Sequence, residues 1–308
     1  MTTNCSIKAA TGLTQTITTL LKPYQQRFEL VIKANLSHFG EQGIMREACA
    51  YALLNGGRRI RPSIVFMVAE ALARGADVSY AALGAEYIHT ASLIADDLPC
   101  MDDDDERRSK PAVHKVYGEA VALLASYALI AAGNSCIPAC VAAISAAPKP
   151  VSDVDANLLG ILALDNAATN TGVLGTTGGQ FLDIYPPDLS LETLREAIHK
   201  KTVSLFEVSF VFGWLFGGGH PDTLPLVKQC ASHFGMAFQI ADDIDDVEQD
   251  AKNDRKVNIA GVFGVEAAHT MFHEEIQAYF KTLATLNIAS NELITLARCL
   301  EEQVNSLH

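Results

Sequence analysis

The sequence predicts an all-α protein. Three observations carry this: apolar residues recur at helical spacing through almost the whole chain, alternating strand-like runs are few, and Gly or Pro stands where one helix should give way to the next. No internal repeat, low-complexity segment or composition shift marks a boundary, so residues 1–308 are read as a single helical domain. A hydrophobic content of 49% is ample for a sizeable core.

The elements follow in order. Leu20, Leu21, Tyr24, Phe28, Val31 and Ile32 fall on one face of a helix over 14–36. A second helix, over 41–55, repeats the pattern through Ile44, Ala48, Tyr51 and Leu54 and stops at Gly56-Gly57. Pro62 suits the first turn of the next, which runs to about Arg74. A fourth starts near Ser79 and enters an acid-rich stretch, where Pro99 breaks it. Residues 117–147 form a long apolar helix or helix pair, closed by a loop at Pro148 to Pro150. Helical spacing resumes over 153–172 and 191–216, a turn occupies Gly217 to Pro221, and helices over 224–250, 264–284 and 289–305 complete the chain.

Residues 120–148 carry no charge and could span a bilayer by length. They are Ala-rich and include Ser126, Asn134, Ser135, Pro138 and Ser145, so a buried helix is expected and no transmembrane span. The N-terminus lacks a continuous apolar signal core, and seven scattered cysteines do not resemble a disulfide framework; a reducing, cytoplasmic setting is expected.

The formal charge of −13 is concentrated. Seven of the eleven residues from 96 to 106 are acids, and Asp242, Asp243, Asp245, Asp246, Glu248 and Asp250 add six more. Without these thirteen, 23 acids face 23 Lys and Arg, so the sequence has two acidic sites in an otherwise neutral protein. No basic stripe emerges, which excludes nucleic acid as a partner.

So many neighbouring carboxylates repel one another unless a cation lies among them. Asp242 and Asp246, four apart on a helix, point the same way; Asp96 and Asp102 are six apart across Pro99, so the helix must unwind for them to converge. Oxygen donors without Cys or His suit Mg²⁺, which retains waters and phosphate oxygens in its shell. Two such clusters suggest a diphosphate held between them by several Mg²⁺. Basic residues support an anion: Gly56-Gly57-Arg58-Arg59-Ile60-Arg61-Pro62 sets three guanidinium groups at a glycine turn before a helix, and Arg107 and Arg108 directly follow the first acid cluster.

The segments GGRRIRP, ADDLPCMDDDDERRSKP, GGQFLDI at 178–184, HKKT at 199–202 and FQIADDIDD at 238–246, in this order, resemble the trans-prenyltransferases of the farnesyl and geranylgeranyl diphosphate synthase family. The likeness runs from about residue 40 to 300. It implies an isoprenoid-synthase-type helical bundle around a deep apolar cavity, usually a homodimer, that joins isopentenyl diphosphate to an allylic diphosphate. By position, it implies that Asp96, Asp102 and Asp242 bind Mg²⁺, three ions with substrate bound, supported by Asp97, Asp243 and Asp246. Arg107 and Lys201 would hold the allylic diphosphate; Arg58, Arg61, His89 and Arg108 would hold isopentenyl diphosphate; Thr202 and Gln239 would present oxygens to the allylic cation. Lys256 matches the family's lysine near the site mouth, with Lys252 a less certain substitute for another.

Several positions depart from the family pattern. Arg58 stands for Lys, Ser109 for Gly, Ser126-Tyr127 for Gly-Asp and Asn258 for Thr, and the loop after the second acid motif is short. In the family, the two residues four and five before the first acid motif line the cavity floor. Here they are Ser92 and Ala91, both small, which implies a C20 product, geranylgeranyl diphosphate. A C15 synthase and a catalytically silent subunit stay open as alternatives. Cys136 and Cys140 resemble a contact motif of some plant relatives but are read as core residues, His269 and His273 as a surface pair, and Phe206, Phe210, Phe212, Trp214 and Phe216 as core packing.

Overall fold

The structure, a computed structural model, describes residues 3–252 and 257–306, with side chains over 17–251 and 257–306. Among these, helices account for every element except one two-stranded hairpin. The helices are α1 Thr3–Ala34, α2 Ile44–Leu53, α3 Ile60–Ala71, α4 Ser79–Asp96, α5 Val113–Tyr117, α6 Glu119–Ser145, α7 Ala156–Thr171 and α8 Thr176–Ile184. They continue as α9 Leu191–Ile198, α10 Ser204–Phe216, α11 Leu224–Asp245, α12 Val247–Lys252, α13 Ile259–Phe263, α14 Val265–Thr285 and α15 Asn291–Ser306. The hairpin strands are β1 Glu106–Arg107 and β2 Lys110–Pro111, paired Glu106 with Pro111 and Arg107 with Lys110.

The chain forms two compact units. The first comprises Pro23–Ala168 and Phe212–Pro221 and is centred on α4 and α6. Residues 117–147 resolve into one long helix, α6, preceded by the short α5. Its buried stripe, Ala122, Ala125, Leu129, Ala132, Gly133, Cys136 and Cys140, recurs every three or four residues and packs chiefly on α4. Glycine makes the approach possible. A Cβ on Gly133 would lie 2.8 Å from Ile88 Cγ1, and one on Gly84 would lie 3.1 Å from the Gly133 carbonyl. Cys136 and Cys140 are buried in this interface, and burial raises both thiol pKa values, that of Cys136 to about 12. They are core cysteines.

The second unit comprises Thr169–Val211 and the described residues up to 22 and from 222 onward, centred on α11 and α14. Its core is aromatic: Phe206 of α10 lies 5.1 Å from Phe234 and 5.0 Å from Phe238 of α11, and Phe234 lies 5.3 Å from Tyr279 of α14 between ring centroids. Phe206 and Phe210 pack here while Phe212, Trp214 and Phe216 are buried in the first unit, all as core residues. His269 is buried, which corrects its reading as a surface residue: it sits on the same inward face of α14 as Phe272 and Ile276.

Candidate active site

In the first unit the acid stretch begins where α4 ends, at Asp96. The chain then folds back on the helix terminus. The Met101 and Asp103 N–H groups donate to the Leu98 carbonyl at 2.9 and 3.2 Å, and the Asp102 N–H donates to the Asp96 carbonyl at 2.9 Å. The return brings Asp96 and Asp102 together, both half-buried, as the spacing across Pro99 required. Their carboxylates supply oxygen donors within reach of solvent, a setting that fits Mg²⁺ with part of its water shell retained.

Asp97, only 2% exposed, points away from solvent and takes hydrogen bonds from Arg107: Nε donates to Oδ1 at 2.8 Å and Nη2 donates to the same oxygen. Arg107 Nη2 also donates to Asp104 Oδ2 at 3.1 Å. Burial raises the Asp97 carboxyl pKa, and the Arg107 guanidinium opposes the rise. Asp97 thus anchors Arg107 as well as neighbouring Asp96 and Asp102.

Arg107 sits on β1, and the two residues after it, Arg108 and Ser109, have φ of 57° and 60°. Consecutive left-handed residues linking two antiparallel strands make a type I′ hairpin turn, which favours Gly or Asn. The turn aims Arg108 back at the glycine turn before α3. Its Nη1 donates to the Gly56 carbonyl at 2.6 Å, and a Cβ on Gly57, φ 103°, would lie 2.5 Å from the guanidinium. Gly57 is therefore glycine both for its backbone and for the guanidinium lying on it.

The three arginines of GGRRIRP separate. Arg58 is exposed, and Arg61 Nη1 lies 3.2 Å from His89 Nε2. Arg59 corrects the expectation of three guanidinium groups for one anion. With φ 52° it turns inward, is 3% exposed, and donates to Glu86 Oε1 at 2.6 Å and to Glu29 Oε1 at 3.0 and 3.1 Å. Its charge is met by a buried carboxylate, and its carbonyl accepts from Ser63 Oγ of α3 at 2.7 Å. Burial first, then the Arg61 guanidinium, holds the His89 imidazole pKa well below its ordinary value. His89 is a neutral partner for Arg61.

In the second unit α8, which carries GGQFLDI, lies against a π-helical turn at His199–Val203 that carries HKKT. A Cβ on Gly179 would lie 2.2 Å from the Lys201 amide nitrogen, so the glycine pair allows the two backbones to touch. Lys201 Nζ pairs with Asp183 of the same motif. From the π turn, Thr202 Oγ1 donates to Gln239 Oε1 at 2.7 Å, and Gln239 Nε2 donates to Asp243 Oδ1 at 2.9 Å. Asp243 Oδ2 accepts from the Ile259 N–H at 2.8 Å. Asp243 is 3% exposed, and burial pushes its carboxyl up to about 7 against the pull of these donors.

The two other acids named in this motif lie toward solvent: Asp242 is half-buried and Asp246 exposed, joined by the Asp246 N–H donating to the Asp242 carbonyl at 2.9 Å. Asn258, at the family's Thr position, caps α13 by accepting from the Gly261 N–H at 2.7 Å. Its amide nitrogen donates to the Asp243 carbonyl at 3.0 Å and to Asp250 Oδ2 at 2.8 Å. A threonine has no amide to make those last two bonds. Lys256 lies outside the described residues, and so does the Lys252 side chain.

Sequence reasoning missed Arg59, Asp183 and Asn258 as organisers of the site. The floor positions also separate: Ala91 is fully buried, with its carbonyl accepting from Ser126 Oγ of α6 at 2.8 Å, whereas Ser92 is half-buried. Tyr127, next to Ser126 on α6, is 58% exposed.

A family model described as polyprenyl synthetase matches residues 42–260. Among curated proteins, the chain is similar to the large subunit 1 of a chloroplastic heterodimeric geranylgeranyl pyrophosphate synthase from Arabidopsis thaliana, 39% identical over 68% of this chain and 55% of that protein. It is likewise 39% identical to the chloroplastic geranylgeranyl pyrophosphate synthase of Capsicum annuum, over 69% of this chain and 56% of the relative. The chain thus spans about half the length of the curated relatives it matches. Among solved structures, a geranyltransferase from Legionella pneumophila aligns with a TM-score of 0.77 and 27% identity, covering 95% of this chain and 98% of the other.

Proposed function

The chain belongs to the polyprenyl synthetase family, and from that premise we propose that it condenses isopentenyl diphosphate with an allylic diphosphate to form geranylgeranyl diphosphate. The observation that carries the reading is the paired Asp96 and Asp102 at the end of α4, with Arg107 and Arg108 set beside them by one hairpin.

Asp96 and Asp102 in the first unit and Asp242 and Asp246 in the second would hold the Mg²⁺ ions, supported by the oxygen-only donors and their access to solvent. When bound, Mg²⁺ stabilises negative charge on the departing diphosphate. Asp97 keeps Arg107 extended toward phosphate, and Asp243 fixes Gln239, so each buried acid positions a neighbour. Arg58 and Arg61, which follow the Gly56-Gly57 turn, and Arg108, bound to the Gly56 carbonyl, would supply the cations for the isopentenyl diphosphate, with neutral His89 orienting Arg61. Lys201 reaches the allylic diphosphate once it exchanges Asp183 for phosphate. The Thr202 and Gln239 oxygens retain lone pairs for the developing allylic cation, and the departing diphosphate takes the final proton.

A homodimer is the proposed assembly. Leu123, Leu124 and Tyr127 of α6 and Ile161 and Leu164 of α7 are 39–64% exposed, large apolar side chains of the kind a second copy would cover. The six cysteines with described side chains are unbridged, in keeping with a reducing compartment, and the cytoplasm is the location proposed. Purified protein given Mg²⁺, radiolabelled isopentenyl diphosphate and allylic primers of increasing length should accumulate C20 diphosphate. A C15 product would shift the reading to the shorter synthase, and no elongation with any primer would favour a silent subunit.

A further inference from the structure

Directly after the Mg²⁺-type pair, the hairpin creates a second cluster that the proposed reaction does not use. Ligand atoms of Asp103, Asp105 and His114 all lie within 4.8 Å of one another. The hairpin explains the convergence of residues so far apart in sequence: the Ala112 N–H donates to the Asp105 carbonyl at 2.8 Å, and two residues later His114 enters the first turn of α5. Asp103, with φ 51°, turns its side chain outward from the returning loop.

The two acids are exposed and alone would be a solvated shoulder. His114 changes that reading. Its side chain belongs to a residue only 7% exposed, yet neither ring nitrogen has a hydrogen-bond partner among the described residues. A buried imidazole with both nitrogens unsatisfied is costly, and a coordinate bond to a metal would relieve one of them. Lys115 Nζ, 2.5 Å from Asp105 Oδ1, marks the place where positive charge already collects.

We propose that Asp103, Asp105 and His114 bind one first-row transition-metal dication, separately from the Asp96 and Asp102 pair, and so pin the hairpin that carries Arg107 and Arg108. One nitrogen and two oxygen donors select such an ion over Mg²⁺, which takes oxygen ligands almost alone. With three protein ligands the ion keeps at least one water, and Lys115 moves off Asp105 as the metal arrives. The site depends only on this hairpin and not on the reaction proposed above.

Titration of the full-length, metal-free protein with Co²⁺, without any diphosphate, tests this through visible absorption bands and calorimetry. One Co²⁺ should bind per chain, with the bands of an imidazole-containing site. His114→Gln and Asp103→Asn should each weaken binding by at least about tenfold, while Asp96→Ala should bind as tightly as the unaltered protein. Asp103 is exposed, so its variant decides the matter even if His114→Gln fails to fold. No Co²⁺ binding by the unaltered protein, unchanged affinity in Asp103→Asn, or loss of the site in Asp96→Ala would each overturn the proposal.

Discussion

In the first acid motif the buried carboxylate, Asp97, is held by the charged guanidinium of Arg107; in the second, the buried carboxylate, Asp243, is held by two neutral donors, the Gln239 amide and the Ile259 N–H. The two residues are equally secluded, at 2% and 3% exposure. A charged partner can keep a carboxylate ionised and is itself tied down by it. Burial is the largest influence on both and raises both carboxyl pKa values, opposed at Asp97 by the guanidinium and at Asp243 only by neutral dipoles, where the carboxyl rises to about 7. The first motif therefore uses its buried acid to aim a guanidinium, the one proposed to meet phosphate, and the second to aim a neutral amide. In both, the acids left toward solvent are those suited to metal.

The strongest test of that division is catalytic. Asp96→Ala should lower kcat by at least about 10²-fold by removing a Mg²⁺ ligand. Asp245→Ala, an exposed acid of the second cluster whose side chain meets only Gln303 at 3.3 Å among the described contacts, should stay within about twofold. Similar losses in steady-state turnover would mean that the acids proposed to bind metal are not set apart from their exposed neighbours.

Next in size is stability. Arg107→Leu strands a buried carboxylate and should cost about 2–4 kcal/mol, below the full cost of breaking a buried pair because Arg107 is 32% exposed. Gln239→Leu removes a neutral donor and should cost about 1–3 kcal/mol. Urea midpoints that rank them in the reverse order would break the contrast between a charged and a neutral partner.

Much of this site was legible in sequence and some was not, for physical reasons. The helices announced themselves by spacing, and charge counting located both acid motifs, because periodicity and net charge are local properties. Arg58, Arg59 and Arg61 look equivalent in a string of residues; what separates them is the left-handed backbone of Arg59 and a glutamate, Glu86, twenty-seven residues away. Helix α8 was hidden by Gly178-Gly179, which reads as a breaker but serves the contact with the Lys201 turn. The π turn within 191–216 has no composition signature at all.

The first unit also carries the proposed product ruler, and the structure divides it. Ala91→Tyr forces a ring into a filled interface and should cost about 1–3 kcal/mol by overpacking. Ser92→Tyr, at a half-buried position, should shorten the product with little loss of stability. Chromatographic sizing that still gives C20 from the Ser92 variant would remove the floor from this part of α4.

His89 gives the first unit a pH dependence of definite sign. Its imidazole stays neutral in the fold, faced by Arg61, Arg108, Arg59 and Arg107, while in the unfolded chain it takes up a proton below about 6.5. The unfolded state then binds more protons, so stability falls as pH drops below that value, by at most about 1.4 kcal/mol per pH unit. His89→Gln should flatten this part of the urea-midpoint profile; an unchanged slope would show that another group sets it.

The smallest expected effect concerns the turn that aims Arg107 and Arg108. Ser109 occupies the second left-handed position of the hairpin at φ 60°, where a Cβ meets the following carbonyl and glycine does not. Ser109→Gly relieves that strain but gives the unfolded chain more freedom, two effects of opposite sign and similar size. The strain, about 1–2 kcal/mol for a left-handed non-glycine residue, somewhat exceeds the added freedom, about 0.4–1 kcal/mol, so the net gain should be about 0.5–1 kcal/mol. If the hairpin fixes Arg107 and Arg108 as their bonds to Asp97 and the Gly56 carbonyl indicate, KM for isopentenyl diphosphate should stay the same or fall. A stabilised variant with a raised KM would mean that the strained serine, and not the ionic anchoring, holds Arg108 in place.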